Sequence, residues 1–204
     1  MNKHAVAFFS LYVVCRILHG SEPASDADEA ARTLATQVCS VCHGPGGSSA
    51  GSVFLPNLAG QPRPYLLAKI KLFRSKSINE PKDHVDVLGL TLIDDATAEA
   101  LARYFASQPP PTPTSGDAEL IASGNKIFVQ GVPDHGVAAC AVCHGANAHG
   151  IGIFPRLAGQ HAEYVQRQLT LIQSRLRDAP VMHGIIKDMT PEEMKAVAAF
   201  VQSQ

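Results

Sequence analysis

The strongest constraint on this chain is a pair of cysteine motifs with the same spacing, each followed at once by histidine. The first is Cys39-Ser-Val-Cys42-His43 and the second is Cys140-Ala-Val-Cys143-His144. This spacing lets two thiols bond covalently to the vinyl groups of a haem while the histidine presents its imidazole to the iron. Two disulfides are the alternative in an exported chain, but a disulfide does not need an adjacent histidine. We therefore predict two covalently bound haem c groups.

Residues 1–25 are predicted to be an export signal peptide. Lys3 gives a basic start, the run from Ala5 to Leu18 is mostly apolar, and small and polar residues follow. Cys15 and Arg16 interrupt the apolar run, which argues against a transmembrane span. Cys15 is interpreted as incidental rather than lipidated.

The two halves of the chain repeat each other beyond the cysteine motifs. The segment Phe54–Gln61 corresponds to Phe154–Gln160, with a slip of one residue at the phenylalanine. Between the halves, residues 108–116 are rich in proline, which excludes a helix and favours a stiff, extended chain. We predict a first domain over residues 26–107, a linker over 108–116 and a second domain over 117–204.

Both halves are predicted to be all-α. Helical spacing of apolar residues, with no useful stretch of alternation, argues against strands. Thr190-Pro191-Glu192-Glu193 predicts a helix start closed by a capping box. The predicted helices are Asp26–Val38, Pro62–Ser75 and Asp94–Ser107 in the first half, and Asp117–Gln130, His161–Arg175 and Thr190–Gln202 in the second.

Composition excludes one class of partner and is consistent with a bound cofactor. The formal charge is −1 and the basic residues are scattered, so no nucleic acid partner is expected. Trp is absent and aromatic residues make up 6% of the chain. So few aromatic residues would be unusual unless another apolar body, such as haem, helped to fill the core.

These features resemble the dihaem cytochrome c4 family, whose members carry two class I cytochrome c domains in one exported chain. The resemblance covers nearly all of the chain after the signal segment, including Pro155–Gln160 and the proline-rich linker. It implies two tandem small helical domains, each wrapped around a covalently bound haem. It also implies a periplasmic electron carrier whose partners are an oxidase, a reductase or a dehydrogenase. Any association with a membrane is expected to be peripheral and through those partners.

The proximal iron ligands are predicted to be the histidines of the two motifs, His43 and His144. A ligating imidazole normally donates its other N–H to an acceptor that fixes the ring. The resemblance implies that the carbonyl groups of Pro56 and Pro155 have this role. The alternative is that these prolines only shape a turn.

The resemblance places the distal ligand of the second haem at Met182. The neighbouring His183 is an alternative. Met189 and Met194 are further alternatives, but they are expected to pack in the core. The remaining histidines of this half are predicted to be solvent-exposed: His135, His149 and His161.

The first half departs from the family pattern because it contains no Met. Apart from His43 its only histidine is His84, which is therefore the predicted distal ligand. His84 follows Pro81 at the separation at which His183 follows Pro180. Other possibilities are Lys76, Lys82, an open or water-bound iron, and a His84 that is an ordinary surface residue.

An axial thioether raises the potential of a haem relative to a second imidazole. The predicted ligands therefore make the first haem the lower-potential centre, so that electrons run from the first domain to the second. We interpret the chain as an electron carrier and not as an enzyme. The alternative is a dihaem redox enzyme, peroxidase-like or thiosulfate-oxidising, with the first haem as the reactive site.

Overall fold

The structure is a computed structural model that describes residues 25–49, 51–79 and 92–204. The predicted signal peptide falls almost wholly outside these ranges, and so does the predicted ligand His84. Within the described ranges the regular structure is helical, and pairing of extended backbone is limited to isolated bridges. The all-α prediction is confirmed. No helix in these ranges has the length and apolar content needed to cross a membrane.

The helices of the first half are α1 (Asp26–Leu34), α2 (Ser40–His43), α3 (Arg63–Asn79) and α4 (Asp95–Ala106). A π-helical turn, Ala35–Cys39, joins α1 directly to α2. The Asp94 side chain caps α4 by accepting a hydrogen bond of 2.7 Å from the backbone N–H of Thr97. The observed helices lie close to their predicted positions, although α3 extends beyond its predicted end at Ser75.

The helices of the second half are α5 (Ala118–Gln130), α6 (Ala141–His144), α7 (Ala162–Gln173), α8 (Pro180–Ile186) and α9 (Pro191–Gln202). Asp117 caps α5, and the predicted capping box at the start of α9 is present between Thr190 and Glu193. Helix α8 was not predicted. It is a short helix that begins with Pro180 in its first turn, where proline is well tolerated.

The two halves differ in how the chain reaches the cysteine motif. In the first half, the helical backbone continues through the π-helical turn into α2. In the second half, a loop over residues 131–139 separates α5 from α6, and a bridge between Val132 and Val137 closes it. Single π-helical turns within α-helices are frequent at functional sites, and this one ends at Cys39.

Each half has its own apolar core. In the second half α5 packs against α9, and the rings of Phe128 and Phe200 lie 5.2 Å apart. Met189 and Met194 are 4% and 2% exposed within this core, as expected. Among the residues that the structure describes, the core of the first half is smaller, and its buried members are Ala31, Ala35, Leu66, Ala100, Leu101, Ala102 and Phe105.

The proline-rich segment is extended and lies against the repeated segments of both halves. A Cβ added at Gly60 would overlap the side chain of Pro110, and one added at Gly159 would overlap the carbonyl oxygen of Pro111. The backbone N–H of Thr114 donates a hydrogen bond of 3.0 Å to the carbonyl oxygen of Gln202, at the end of α9. The linker is therefore packed on the folded protein and is not a free tether.

Close packing of α5 on α9 depends on Gly124. An added Cβ at this position would overlap the carbonyl oxygen of Ala196 and approach the Phe200 side chain. The backbones can approach this closely only because the residue has no side chain.

Replacing Gly124 with Ala tests this close approach. Ala is favoured over Gly in a helix interior by about 1 kcal/mol, but here its methyl group would displace α9. We expect Gly124→Ala to lower the free energy of unfolding of the second half, measured by urea denaturation. The control Ser123→Ala lies on the exposed face of the same helix and should be neutral or slightly stabilising. A more stable Gly124→Ala protein would contradict the close packing.

Candidate haem-binding sites

The spacing of each motif places its functional groups on one face of a helix. Cys39 caps α2 in helical conformation, and Cys42 and His43 lie three and four residues further on. Residues at this separation are neighbours on the helix surface. The second motif has the same arrangement, with Cys140 at the cap of α6. Two sulfur atoms and an imidazole on one face are the groups that covalent attachment of haem c requires.

Both motif histidines are held from the same ring nitrogen. Nδ1 of His43 lies 2.9 Å from the carbonyl oxygen of Pro56, and Nδ1 of His144 lies 3.0 Å from that of Pro155. Because a carbonyl oxygen only accepts, Nδ1 carries the proton and Nε2 keeps its lone pair. Nε2 of neither ring forms a hydrogen bond within the described ranges. The carbonyl groups of Pro56 and Pro155 thus lie within hydrogen-bond distance of the two rings.

The environment of His144 favours the neutral ring that a metal requires. The side chain is buried, and Phe154 packs near it with the ring centroids 6.3 Å apart. Burial lowers the pKa of His144, and the hydrogen bond to Pro155 opposes this only in part. A neutral imidazole is the form that coordinates iron.

All four cysteines of the two motifs are free of disulfide bonds. Burial raises the pKa of the Cys140 thiol to about 11 and raises that of Cys39 in the same direction. Cys42 is exposed and Cys143 is half-buried. The cysteines are therefore available for thioether formation, and the residues present fit a covalently bound haem at each motif.

In the second half, Met182 lies on α8, half-buried, and packs against the core. The side chain of the neighbouring His183 forms hydrogen bonds through both of its ring nitrogens. Its Nδ1 lies 3.1 Å from the carbonyl oxygen of Ile172, and its Nε2 accepts a hydrogen bond of 3.1 Å from Nε of Arg175. An iron bound to His183 would compete with Arg175 for the same lone pair. Both ring nitrogens of His183 are thus engaged in hydrogen bonds within the protein.

The other histidines of the second half only partly match their predicted exposure. His149 and His135 are exposed, and Nδ1 of His135 lies 3.2 Å from a carboxylate oxygen of Glu193. The prediction is wrong for His161, which is half-buried at the start of α7. Its Nε2 lies 3.0 Å from the hydroxyl of Ser49 in the other half, and this contact between the halves is what covers it.

The repeated segments meet each other through two glutamines that the sequence analysis did not single out. Gln61 donates to the carbonyl oxygen of Arg156 and accepts from its N–H, at 2.8 and 3.0 Å. Gln160 makes the equivalent pair of bonds with Asn57, at 3.1 and 2.9 Å. The signal available in the sequence was the exact repetition of Leu-Ala-Gly-Gln.

A second cross-repeat contact joins the two repeat-related tyrosines. The hydroxyl groups of Tyr65 and Tyr164 both interact with the side chain of Arg177. Burial raises the pKa of both phenols, and the nearby guanidinium opposes the rise. This places the Arg177 guanidinium near one phenol from each half.

Comparison with known proteins identifies the family. The cytochrome c family profile matches residues 121–204. Cytochrome c-552 of Acidithiobacillus ferridurans is 35% identical over 96% of this chain and 86% of its own length. Cytochrome c4 of Azotobacter vinelandii is 31% identical over 99% of each chain. The crystal structure of reduced recombinant cytochrome c4 from Pseudomonas stutzeri superposes with a TM-score of 0.77 at 31% identity, covering 88% of this chain and 99% of that one.

A further relative is named for its electron-transfer partner. The thiosulfate dehydrogenase electron acceptor of Thiomonas intermedia is 31% identical over 89% of this chain and 85% of its own length. The similarity to cytochrome c4 extends over both motifs and both helical halves. The chain therefore belongs to the cytochrome c4 family and is a dihaem electron carrier with two covalently bound haem c groups.

Proposed function

We propose that this protein is a periplasmic carrier of single electrons between respiratory or dehydrogenase partners. The first haem would be ligated by His43 and His84 and the second by His144 and Met182. When bound, haem supplies the one-electron couple of its iron. The observation that carries the proposal is the matching pair of hydrogen bonds that hold the two motif histidines by Nδ1.

These hydrogen bonds suit a carrier because they fix each proximal ring before any electron arrives. An acceptor on Nδ1 sets the tautomer, restrains ring rotation and increases the basicity of Nε2. The proline carbonyl groups lie on the repeated segments, and buried hydrogen bonds of the Asn57 side chain tie the first segment to Ser49 and to Gly159 of the second. A ring held in this way keeps its geometry when the iron changes oxidation state.

Two observations support Met182 as the distal ligand of the second haem. It lies on α8, and the neighbouring His183 is hydrogen-bonded to Arg175 and Ile172. A thioether ligand stabilises the ferrous state relative to a second imidazole. We infer that the second haem has the higher potential and receives electrons from the first.

For the first haem, His84 is supported by exclusion. It lies outside the described residues, on the segment between the end of α3 at Asn79 and the start of α4 at Asp95. The corresponding segment of the second half, between α7 and α9, carries Met182. A chain that fills both distal positions has no open iron for an external substrate, which favours a carrier over the peroxidase-like alternative.

The periplasmic location rests on the predicted signal peptide in residues 1–25. The choice of partners is supported by the relative named as an electron acceptor of thiosulfate dehydrogenase. Its name describes a protein that takes electrons from a dehydrogenase rather than one that oxidises thiosulfate itself. A dehydrogenase donor is therefore proposed here, with an oxidase or reductase as the acceptor.

Replacing Met182 with Ala tests the distal ligand of the second haem. We expect loss of the weak charge-transfer band at the red edge of the ferric spectrum, because that band requires a sulfur–iron bond. The potential of the second haem should fall, as measured by spectroelectrochemical titration. Met189→Leu is the matched control, since it conserves volume at a buried methionine and should retain the band. Retention of the band in Met182→Ala would reassign the ligand.

Replacing His84 with Met tests the distal ligand of the first haem. The potential of one haem should rise while the other barely moves, because a thioether replaces an imidazole at one iron only. His84→Ala should open the same iron to carbon monoxide in the ferrous state. Lys82→Ala is the control and should leave both potentials in place. If the native ferrous protein already binds carbon monoxide at one haem, the enzymatic alternative is supported instead.

A further inference from the structure

Gln61 and Gln160 form a reciprocal contact between the two repeats, which we call the crossed glutamine pair. Each side-chain amide faces the backbone of the other repeat, with its oxygen on an N–H and its nitrogen on a carbonyl group. Turning either amide over would set donor against donor and acceptor against acceptor. Each glutamine is therefore held in one orientation.

The N–H groups that these glutamines accept from belong to the peptide units that hold the proximal histidines. The carbonyl of Pro56 and the N–H of Asn57 are the two ends of one peptide group, as are the carbonyl of Pro155 and the N–H of Arg156. A continuous chain of hydrogen bonds thus runs from the ring of His43 through that peptide to Gln160. The matching chain runs from His144 to Gln61.

The glutamines lie in a buried environment, and the bonds that join them to the proximal rings are buried or part-buried. Gln61 and Gln160 are 6% and 4% exposed, and Asn57 is 4% exposed. Away from water, hydrogen bonds in series polarise one another, so that strengthening one strengthens the next. An acceptor on the peptide N–H shifts electron density toward the carbonyl oxygen of the same peptide. That oxygen then becomes a better acceptor for the Nδ1–H of the histidine.

We propose that Gln61 and Gln160 are positioning residues that lower the potential of the haem in the opposite half. The inference rests on the proposed ligation of iron by His43 and His144. A stronger hydrogen bond to Nδ1–H gives the ring more imidazolate character, which makes Nε2 a better electron donor and stabilises ferric iron. Gln61 acts on the second haem, through His144, and Gln160 acts on the first, through His43.

The test is to replace each glutamine with Met, which is similar in length but has no N–H to donate and only a weakly accepting thioether in place of the amide oxygen. Both potentials of the holoprotein would be measured by spectroelectrochemical titration, with each haem assigned by NMR. In Gln61→Met we expect the second haem to rise in potential more than the first. In Gln160→Met we expect the first haem to rise more than the second. In the reduced protein, the Nδ1–H resonance of the histidine in the opposite half should move upfield.

Two further variants separate this effect from a loosened contact between the halves. His161→Gln changes another hydrogen bond between the repeats, the one from its ring to Ser49. It keeps the backbone N–H that donates to Oε1 of Gln160, and Ser49 bonds the side chain of Asn57 rather than its peptide group. This variant should therefore leave both potentials unchanged. Gln61→Glu, at a pH that keeps this buried carboxyl protonated, can still accept from the N–H of Arg156 and donate to its carbonyl group. It should restore the native potential of the second haem.

The proposal would be overturned if the potentials of both haems shifted equally in each variant. It would also be overturned if the larger shift in potential belonged to the haem of the half that carries the substitution. Unchanged potentials in both Met variants would also overturn it. If either Met variant fails to fold, Gln61→Asn and Gln160→Asn, whose side chains are one methylene too short for both bonds, must give the same crossed pattern. Failure of the proposed ligation would be recognised separately, because native protein would then lack the Nδ1–H signals of His43 and His144 shifted by the haem ring current.

Discussion

A histidine that offers Nε2 to an iron normally has its ring held by a hydrogen bond at the other nitrogen. In both halves of this protein a proline carbonyl does so, at 2.9 Å for His43 and 3.0 Å for His144. A carbonyl group has no proton to give, so it also decides which nitrogen is protonated. The remaining features of the two sites, from the helical face of the cysteines to the packing of the repeated segments, place that carbonyl within reach of the ring.

The two halves achieve this geometry with unequal scaffolds. In the part of the chain that the structure describes, the second half has the larger apolar core, in which α5 packs against α9, and a loop leads from α5 to the motif. The described core of the first half is smaller and rich in alanine, and this half reaches its motif through a π-helical turn. The segment from Pro56 to Gln61 nevertheless repeats that from Pro155 to Gln160 almost residue for residue. The repeats are most alike where they contact each other and the proximal rings.

The features that could be predicted are those that depend on residues close together in the sequence. The motifs, the capping box at Thr190 and the all-α character are local, and the structure contains each of them. Helix α8 was missed because seven residues are too few for a periodic pattern. The exposure of His161 and the role of the two glutamines could not be predicted, because both depend on how one half lies against the other. The distal ligation by His84 stays a prediction.

The reciprocal contact of Gln61 and Gln160 has the form of an isologous interface, in which the same surface of two copies pairs with itself about a two-fold axis. In symmetry terms, the two halves meet as the subunits of a homodimer would. Here the linker joins the two halves into one chain, and the amino-acid sequences of two halves of one chain can differ. His161 and Ser49 show the result: the corresponding positions of the other repeat are Pro62 and Gly150, which have no polar side chain. The contacts around the proximal histidines are therefore symmetric, whereas the adjacent contact between His161 and Ser49 is not. Two copies of one fold can in this way provide two different sites for an electron.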